Sequence, residues 1–416
     1  MEVLIVGGGI GGLTLALSLH QANIPVRVYE SVPEIKPLGV GINLLPHATR
    51  EFEALGVLDR LAEEAVENTE MCFYNQHGQE ILVEPRGLAA GYKWPQLSIH
   101  RGRLQMILLE IAKERLGAER IITGHHCRYA DQNRDGATAY FDDPVTGDSL
   151  GAVAADVVIA ADGIKSTLRR QNFPTEGPPR YSGINMWRGV TRTEKFLSGH
   201  SMVLAGSLRT GKFVIYPIVD NVDGSGQTLI NWIAEIETDD YLTEDWNREG
   251  RIEDFIDSFA DWHFDWLDVP DLIHNADAIY EFPMIDREPI KQWTYGRTTL
   301  LGDAAHPMLP RGSNGACQAV LDARVLTKCL LDNDSFQEAL KVYEAERLPA
   351  TAEIVRMNRS SGPDIFLTEI DNRTGGEEFD NINDVISPEE IKELADAYKI
   401  TAGFQKDRLN KRLPLV

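Results

Sequence analysis

The sequence of 416 residues predicts an α/β fold, in which a parallel sheet is interrupted by a second, mixed or antiparallel sheet and is followed by C-terminal helices. Three observations lead to this prediction. The first 30 residues read as a strand, a glycine-rich turn, a helix and another strand. Residues 180–285 carry an alternating apolar and polar pattern that is typical of antiparallel strands. Residues 298–301 then form a short apolar run, as in a buried parallel strand.

The predicted elements follow in order from the spacing of apolar residues. In the N-terminal half they are strands at 3–6 and 25–30, helices at 13–22, 44–66 and 102–116, β-rich stretches at 70–98 and 120–150, and a buried strand at 156–161. In the C-terminal half they are the strands of 180–285, the strand at 298–301, helices at 314–360 and 388–398, and an acidic loop at 372–383. Five of the seven tryptophans fall between 187 and 266, so we expect the second sheet to form the wall of a pocket.

The charge and cysteine composition exclude several classes of protein. Lys and Arg number 41 and Asp and Glu number 64, which gives a formal net charge of −23 that repels nucleic acids and anionic membranes. No apolar run approaches the ~20 residues of a membrane helix, and the first residues lack the basic region of a signal peptide. The four cysteines fit no zinc spacing. We therefore expect a cytoplasmic protein with reduced thiols, no metal site, and neither a nucleic acid nor a membrane as a partner.

The first motif is a glycine-rich turn after the first strand, with the spacing Gly7-x-Gly9-x-x-Gly12. Such glycines permit a tight turn and a close approach of the backbone to a pyrophosphate, and the N-terminus of the following helix favours phosphate. Glu30 ends the second strand, 18 residues after Gly12, where an acid can accept hydrogen bonds from ribose hydroxyls. The turn, the helix and the acid together predict a dinucleotide site.

Two further motifs follow strands later in the chain. Asp162 and Gly163 come directly after the strand at 156–161, although an Asp-Gly pair alone is also a common turn. Gly302 and Asp303 end the strand at 298–301, where a carboxylate can bind a ribityl hydroxyl. The glycine-rich loop at 310–316 then opens a helix, and its N–H groups can face a ring edge that becomes anionic on reduction.

These three motifs, in this order and spacing, resemble those of the class A FAD-dependent aromatic monooxygenases of the p-hydroxybenzoate hydroxylase type. The resemblance covers nearly the whole chain. The stretches at 37–43, 98–105, 186–190 and 314–319 are similar to a narrower branch, which holds salicylate hydroxylase-like and 5-methylphenazine-1-carboxylate monooxygenase-like enzymes.

The resemblance implies a discontinuous arrangement of domains. A glutathione-reductase-like, three-layer FAD-binding domain would be interrupted by a sheet that covers the substrate. We expect the FAD-binding domain at 1–72, 98–178 and 281–360, the substrate-binding sheet at 73–97 and 179–280, and a C-terminal helical extension at 361–416.

The resemblance also implies which residues bind FAD without a covalent bond. Arg101 begins a predicted helix, where a positive charge opposes the helix dipole and favours an anion, although a surface arginine remains the alternative. The implied cofactor residues are Gly7, Gly9, Gly12, Glu30, Gly41, Ile42, Asn43, Arg101, Gln105, Asp162, Gly163, Gly302, Asp303, Gly312, Asn314 and Gly315.

The implied reaction has two halves. NADH or NADPH reduces FAD, and the reduced flavin reacts with O₂ to give a C4a-hydroperoxide that hydroxylates a small aromatic or heteroaromatic substrate. The sequence contains no second GxGxxG motif, so we expect no separate nicotinamide domain. The family thus implies that the flavin supplies the chemistry and the protein supplies orientation, a dry pocket and charge.

Residues that contact the substrate or take part in catalysis are harder to identify from sequence. An aromatic pocket suits a planar ligand, but buried aromatic residues are as often part of a core. The substrate candidates are Trp187, Arg188, Tyr216, Pro217, Trp232 and Pro310. Arg188 can pair with a substrate carboxylate or phenolate, or belong to a structural ion pair.

The catalytic candidates are His47, Arg311 and Tyr216. His47 and His306 are considered as a base that deprotonates a phenol, with a structural role expected for His306. Arg311 departs from the apolar residue that the family places in the loop. It can attract an anionic substrate, stabilise the reduced flavin, or point to solvent.

Two other readings of the sequence remain open. The same scaffold can serve as a flavin oxidase, a decarboxylative hydroxylase or an N-oxygenating enzyme. A non-catalytic carrier or escort protein with the FAD fold is a second alternative, but the complete Gly302-Asp303 motif and its loop argue against it. A monomer and a homodimer are both compatible with the sequence.

Overall fold

The computed structural model describes residues 2–238, 249–360, 362 and 364–416. The predicted antiparallel region includes residues 239–248, which lie outside the described residues. The strands are β1 Val3–Val6, β2 Val26–Tyr29, β3 Gly41–Leu44, β4 Val66–Glu67, β5 Glu70–Tyr74, β6 Glu80–Pro85, β7 Leu97–His100, β8 Ile121–Ile122, β9 His126–Gln132, β10 Ala137–Asp142, β11 Ser149–Ala155, β12 Val157–Ala160, β13 Arg180–Thr193, β14 Ser201–Ser207, β15 Gly211–Val219, β16 Thr228–Glu237, β17 His263–Phe264, β18 Leu267–Asp268, β19 Ala276–Asp286 and β20 Thr298–Leu300. The helices are α1 Ile10–Gln21, α2 Pro46–Ala54, α3 Leu58–Ala62, α4 Arg101–Leu116, α5 Thr167–Asn172, α6 Val269–His274, α7 Gly315–Asp332, α8 Phe336–Ser360, α9 Ile365–Thr374, α10 Ile382–Val385, α11 Pro388–Thr401 and α12 Lys406–Lys411.

The first sheet is parallel, with the strand order β20-β12-β1-β2-β8. Its central strand, β1, is buried along all four residues because helices cover one face and the small antiparallel sheet β9–β11 covers the other. Helix α1 packs against α4 and α7 in the helical layer. The three layers and the parallel sheet confirm the predicted fold class.

The second sheet has seven strands in the order β19-β13-β16-β15-β14-β5-β6. Only the β14–β5 pair is parallel, so this sheet is mixed, as predicted. It draws on two separate segments of the chain, β5–β6 and β13–β19. The domain boundaries given from the sequence remain predictions.

The C-terminal helices contact both sheets. Phe366, Leu367 and Ile370 of α9 pack with Val214 and Tyr216 of β15. Tyr398 of α11 instead belongs to the core of the first sheet. The extension therefore lies across the boundary between the two sheets.

Two predicted elements have different bounds in the structure. The helix predicted at 44–66 is two helices, α2 and α3, separated by Gly56 with a φ of +64°. The loop predicted at 372–383 begins only at Gly375, because that residue ends α9 in a left-handed conformation with a φ of +73°.

The cysteines and the membrane prediction can be examined in the same structure. All four cysteines are buried free thiols, which confirms that part of the prediction. None of the helices in the described part of the chain combines the length and the apolar composition that crossing a bilayer requires.

Candidate active site

The three glycines of the glycine-rich turn have different surroundings. A Cβ on Gly7, whose φ is +111°, would lie 2.3 Å from the carbonyl oxygen of Ala161. A Cβ on Gly12 would lie 2.0 Å from the carbonyl oxygen of Gly7. Gly9, by contrast, has no heavy atom within 4 Å of its Cβ position. Packing within the protein therefore requires Gly7 and Gly12, whereas Gly9 leaves open space for a ligand.

Side chains from two other elements meet at this turn. Glu30, the residue after β2, accepts a 2.6 Å hydrogen bond from the N–H of Gly8. Gln105 of α4 donates a 2.9 Å hydrogen bond to the carbonyl oxygen of Gly8. Arg101 begins α4, and its exposed side chain lies against Gly39. The structure thus brings the side chains of Glu30 and Gln105 to the turn.

The Asp-Gly motif lies at the adjacent end of β12. The N–H of Ala161 donates to the carbonyl oxygen of Val6 at 2.7 Å, so the turns after β1 and β12 are neighbours. Asp162 accepts a 2.8 Å bond from the N–H of Thr167 through one carboxylate oxygen. Its other oxygen, Oδ1, is buried and has no hydrogen-bond partner among the described residues. Gly163 has a φ of +74° and open space at its Cβ position.

The Gly-Asp motif completes the same edge of the sheet. The side chain of Asp303 is exposed, whereas the N–H of Gly302 donates a 3.0 Å bond to buried Asp322. Asp322 also accepts from His306 Nε2 at 2.5 Å and Arg347 Nε at 2.6 Å. Burial alone would raise the pKa of Asp322, but His306 and Arg347 outweigh it and lower that pKa to about 2. His306 is thus held by a hydrogen bond to Asp322, the same carboxylate that accepts from the N–H of Gly302.

The loop after β20 carries the remaining predicted cofactor residues. Gly312 and Ser313 both have a positive φ, at +67° and +54°, and Asn314 precedes the first residue of α7. Pro310 is exposed at the start of the loop. Arg311 points to α8 rather than to solvent, since its Nη1 donates a 3.2 Å bond to the backbone carbonyl oxygen of Asn358.

One face of the second sheet covers Gly41. Arg188 Nη2 donates a 2.7 Å bond to the carbonyl oxygen of Gly41, and the N–H of Gly41 donates a 2.7 Å bond to Asn231 Oδ1. A Cβ on Gly41 would lie 2.7 Å from Tyr216 Cε2, so only glycine allows this approach. We call Arg188, Tyr216 and Asn231 the covering face. Ile42 and Asn43, which follow Gly41 in β3, continue along β7 beneath it.

Three predicted substrate residues do not lie on this face. Trp187 stacks on Phe255 with ring centroids 5.0 Å apart, and Trp232 donates a 3.0 Å hydrogen bond to Thr191. Pro217 is paired with Ile230, which belongs to the same core as the two tryptophans. Successive residues of a strand point to opposite faces, so neighbours of Arg188, Tyr216 and Asn231 must point away. The structure therefore turns these three side chains away from the covering face and toward the core of the second sheet.

His47 has surroundings that do not suit a general base. It is 1% exposed and its ring stacks on Phe404 with centroids 5.4 Å apart. Burial, reinforced by the charges of Arg50 and Arg347, lowers the pKa of His47 from 6.5 to about 3. The imidazole is neutral at working pH, but a group with so low a pKa is too weak a base to take a proton from a substrate hydroxyl. The proposal that His47 acts as the base is not supported.

We expect His47 to make the protein sensitive to acid. Between pH 6.5 and pH 3 the unfolded chain protonates this imidazole while the folded chain does not, so stability falls as the pH falls. In the variant His47→Phe the free energy of unfolding should lose this dependence, by up to about 1.4 kcal/mol per pH unit. Urea unfolding of both proteins from pH 4 to pH 7 measures the difference. Parallel curves would show that His47 is protonated in the folded protein.

Several residues of the site escaped the sequence analysis. Asn231 is a polar residue between apolar residues of a predicted strand, and this break in the apolar run was the one sign of a site residue there. Lys212 is buried near the start of β15. Its Nζ lies 2.5 Å from a carboxylate oxygen of Asp364 and 3.3 Å from one of Glu235. Burial alone would lower the pKa of Lys212, but these carboxylates outweigh it and raise it. No short motif in the sequence marks these long-range pairs.

The profile of a family described as FAD binding domain matches residues 1–358. The chain belongs to this family. Among its curated relatives is a phenazine 1,6-dicarboxylic acid hydroxylase of Lysobacter antibioticus, 42% identical over 86% of this chain and 89% of the relative. A 3-hydroxybenzoate 6-hydroxylase of Polaromonas naphthalenivorans is 30% identical over 87% of each chain. Family membership and these relatives confirm the predicted class, a FAD-dependent monooxygenase.

A solved structure shares the fold over almost its whole length. It is that of Klebsiella pneumoniae HpxO in complex with FAD and uric acid. The TM-score is 0.75, with 24% sequence identity, and the match covers 98% of this chain and 96% of that one. This likeness supports the arrangement of the two sheets described above.

The residues of this chain fit FAD. Gly9 and Gly163 leave open space at the carboxyl edge of the parallel sheet, where dinucleotides bind in such folds. The unpartnered Oδ1 of Asp162 is a buried acceptor at that edge, and unpartnered buried acceptors are rare unless a ligand satisfies them. Glu30 and Asp303 provide carboxylates for hydroxyl groups on either side of it.

Proposed function

We propose that this protein hydroxylates a small aromatic or heteroaromatic carboxylate, with NADH or NADPH as the reductant and O₂ as the co-substrate. The observation that carries the substrate class is Arg188 on the covering face. Its guanidinium is partly buried, and in the described part of the chain no carboxylate lies within ion-pair distance of it.

The contacts of Arg188 leave most of its donors for a ligand. Nη2 donates to Gly41, and the guanidinium carbon lies 6.0 Å from the centre of the Phe282 ring. Nε is buried and has no hydrogen-bond partner among the described residues. A guanidinium has five N–H donors in a planar fork that matches a carboxylate, and a desolvated one favours an anion. The ring of Phe282 beside it suits a planar substrate.

Tyr216 supplies the second polar group of the proposed pocket. Burial raises the pKa of its hydroxyl, and the nearby charge of Arg188 opposes this only in part. Tyr216 therefore stays protonated at neutral pH and can donate a hydrogen bond to a substrate oxygen. When bound, FAD supplies the activation of O₂, while the covering face orients the ring and excludes water.

The names of three relatives support this substrate class. The relatives act, by name, on phenazine 1,6-dicarboxylic acid and on 3-hydroxybenzoate, and a further one from Pseudomonas fluorescens, 26% identical, acts on 6-hydroxynicotinate. Each of these compounds carries a carboxylate on an aromatic ring. The net charge of −23 supports the further proposal that neither nucleic acid nor a membrane is a partner. A cytoplasmic location and a monomer or homodimer remain predictions from the sequence.

We expect the protein to distinguish an aromatic acid from its amide. Phenazine-1-carboxylic acid and hydroxybenzoates should accelerate NAD(P)H oxidation by the FAD-loaded protein and yield products heavier by one oxygen atom. The matched amides keep the ring and the shape but remove the charge, so kcat/KM should fall by about 100-fold, the size expected for an unpaired buried charge. Equal turnover of acids and amides would contradict the role given to the carboxylate.

A further inference from the structure

The hydroxyl of Tyr398 lies against the loop between β20 and α7. Tyr398 belongs to α11, is 2% exposed, and accepts a 3.1 Å hydrogen bond from Asn314 Nδ2. The hydroxyl also lies 3.1 Å from the carbonyl oxygen of Arg311 and 3.1 Å from Asn358 Oδ1, and it can donate to either. One hydroxyl therefore joins the loop to α8 and α11.

Asn358 extends this connection to the start of the loop. Its side-chain Nδ2 donates a 3.0 Å bond to the carbonyl oxygen of Leu309, and its backbone carbonyl oxygen accepts a 3.2 Å bond from Arg311 Nη1. The residues at both ends of the loop, Leu309 and Asn314, are thus held by one network that passes through Tyr398.

Gly312 shows how closely Tyr398 approaches the backbone. A Cβ on Gly312 would lie 2.2 Å from the Tyr398 hydroxyl oxygen, and the φ of Gly312 is +67°. Both the space and the conformation require glycine here. The loop is shaped around the tyrosine, so removal of the hydroxyl should leave it underpacked and free to shift.

We propose that Tyr398 is a positioning residue for the flavin site, which acts by fixing the loop 309–314 and the N-terminus of α7. This proposal rests on the proposed function, since it takes the N–H groups of that loop to face the flavin ring. Donors aimed at a developing negative charge work only when they are held in place, and small displacements weaken them strongly. Burial raises the pKa of Tyr398, so the hydroxyl remains a donor across the working range of pH.

The test compares the variants Tyr398→Phe and Tyr92→Phe in the FAD-loaded protein. Tyr92 donates a 2.8 Å hydrogen bond to the carbonyl oxygen of Phe404 in the same C-terminal extension but makes no hydrogen bond to the loop. Each variant loses one hydroxyl group that makes a hydrogen bond involving the C-terminal extension, which makes Tyr92→Phe the matched control. The measurements are amide hydrogen exchange of residues 309–317, the visible spectrum and reduction potential of bound FAD, and peroxide released per NAD(P)H oxidised.

In Tyr398→Phe we expect exchange in this segment to be about fivefold faster, as for the loss of one buried hydrogen bond. The flavin spectrum and potential should shift, and peroxide release should rise at least about twofold. Tyr92→Phe should match the wild type in all four. Faster exchange with an unchanged flavin, or no difference between the variants, would overturn the proposal. A wild type that binds FAD but hydroxylates nothing would contradict the proposed function alone, because exchange and the spectrum would still report on Tyr398.

Discussion

Replacing Arg188 with glutamine should remove most of the turnover of aromatic carboxylates while FAD remains bound. The side chain is the cationic group of the covering face, and it donates to the carbonyl oxygen of Gly41 in β3. Removing one partner of a desolvated charge pair costs about 2–5 kcal/mol, so we expect kcat/KM to fall by roughly 100-fold or more. Turnover of the matched amides should change far less. Initial rates of product formation, with FAD content read from the absorbance, measure both effects.

Arg192 provides the matched control for this prediction. It lies on the same strand, is exposed, and pairs with Asp223 at 2.8 Å and Asp277 at 3.4 Å. Arg192→Gln removes an equal charge from β13 without touching the covering face, and exposed pairs contribute little. We expect its kcat/KM to equal that of the wild type. Equal losses in Arg188→Gln and Arg192→Gln would mean that only the overall charge of the sheet matters, and the role of Arg188 would be wrong.

Substitution of two glycines by alanine should separate folding from cofactor binding. In Gly12→Ala the new Cβ meets the backbone oxygen of Gly7 at 2.0 Å, and no flexible side chain can move aside. We expect this variant to unfold at least 10 °C below the wild type or to be insoluble, because helix α1 must move away from β1. Thermal unfolding of the FAD-free proteins tests it.

Gly9→Ala should weaken FAD binding without lowering the unfolding temperature. Its φ of −75° suits any L-residue, and open space surrounds the Cβ position. The FAD-free variant should therefore unfold at the temperature of the wild type, while FAD binds about tenfold more weakly or worse because the methyl group occupies the path of the pyrophosphate. Titration with FAD gives the dissociation constant. Wild-type affinity in Gly9→Ala would show that the pyrophosphate does not approach this turn.

The sequence was sufficient wherever the site is built from neighbouring residues. Glycine spacing, the acid after β2 and the aspartates after β12 and β20 are local signals, and parallel strands bring their carboxyl ends to one edge. The structure places Glu30 at the glycine-rich turn for that reason. The same rule places Asp162 and Asp303 at neighbouring strand ends.

The sequence failed where the answer depends on register or on distant contacts. Trp187 and Arg188 are adjacent, and a shift by one residue exchanges the faces to which they point. An alternating pattern shows that two faces exist, but when both are buried it does not show which one faces the cofactor. The hydrogen bond of Asn314 to Tyr398 joins residues 84 positions apart, and the pair of Asp322 with Arg347 joins two helices. Such contacts follow from the packed fold and leave no periodic signal.

The transfer of one oxygen atom from O₂ to an aromatic acid is the central claim, and isotope labelling tests it most directly. The FAD-loaded protein is incubated with NAD(P)H, an aromatic carboxylate and ¹⁸O₂, and the product mass is measured together with peroxide. We expect a product that carries one ¹⁸O atom, formed in proportion to the NAD(P)H consumed. Oxidation of NAD(P)H that yields only peroxide for every acid, or a product whose new oxygen comes from water, would contradict the assignment as a monooxygenase of aromatic carboxylates.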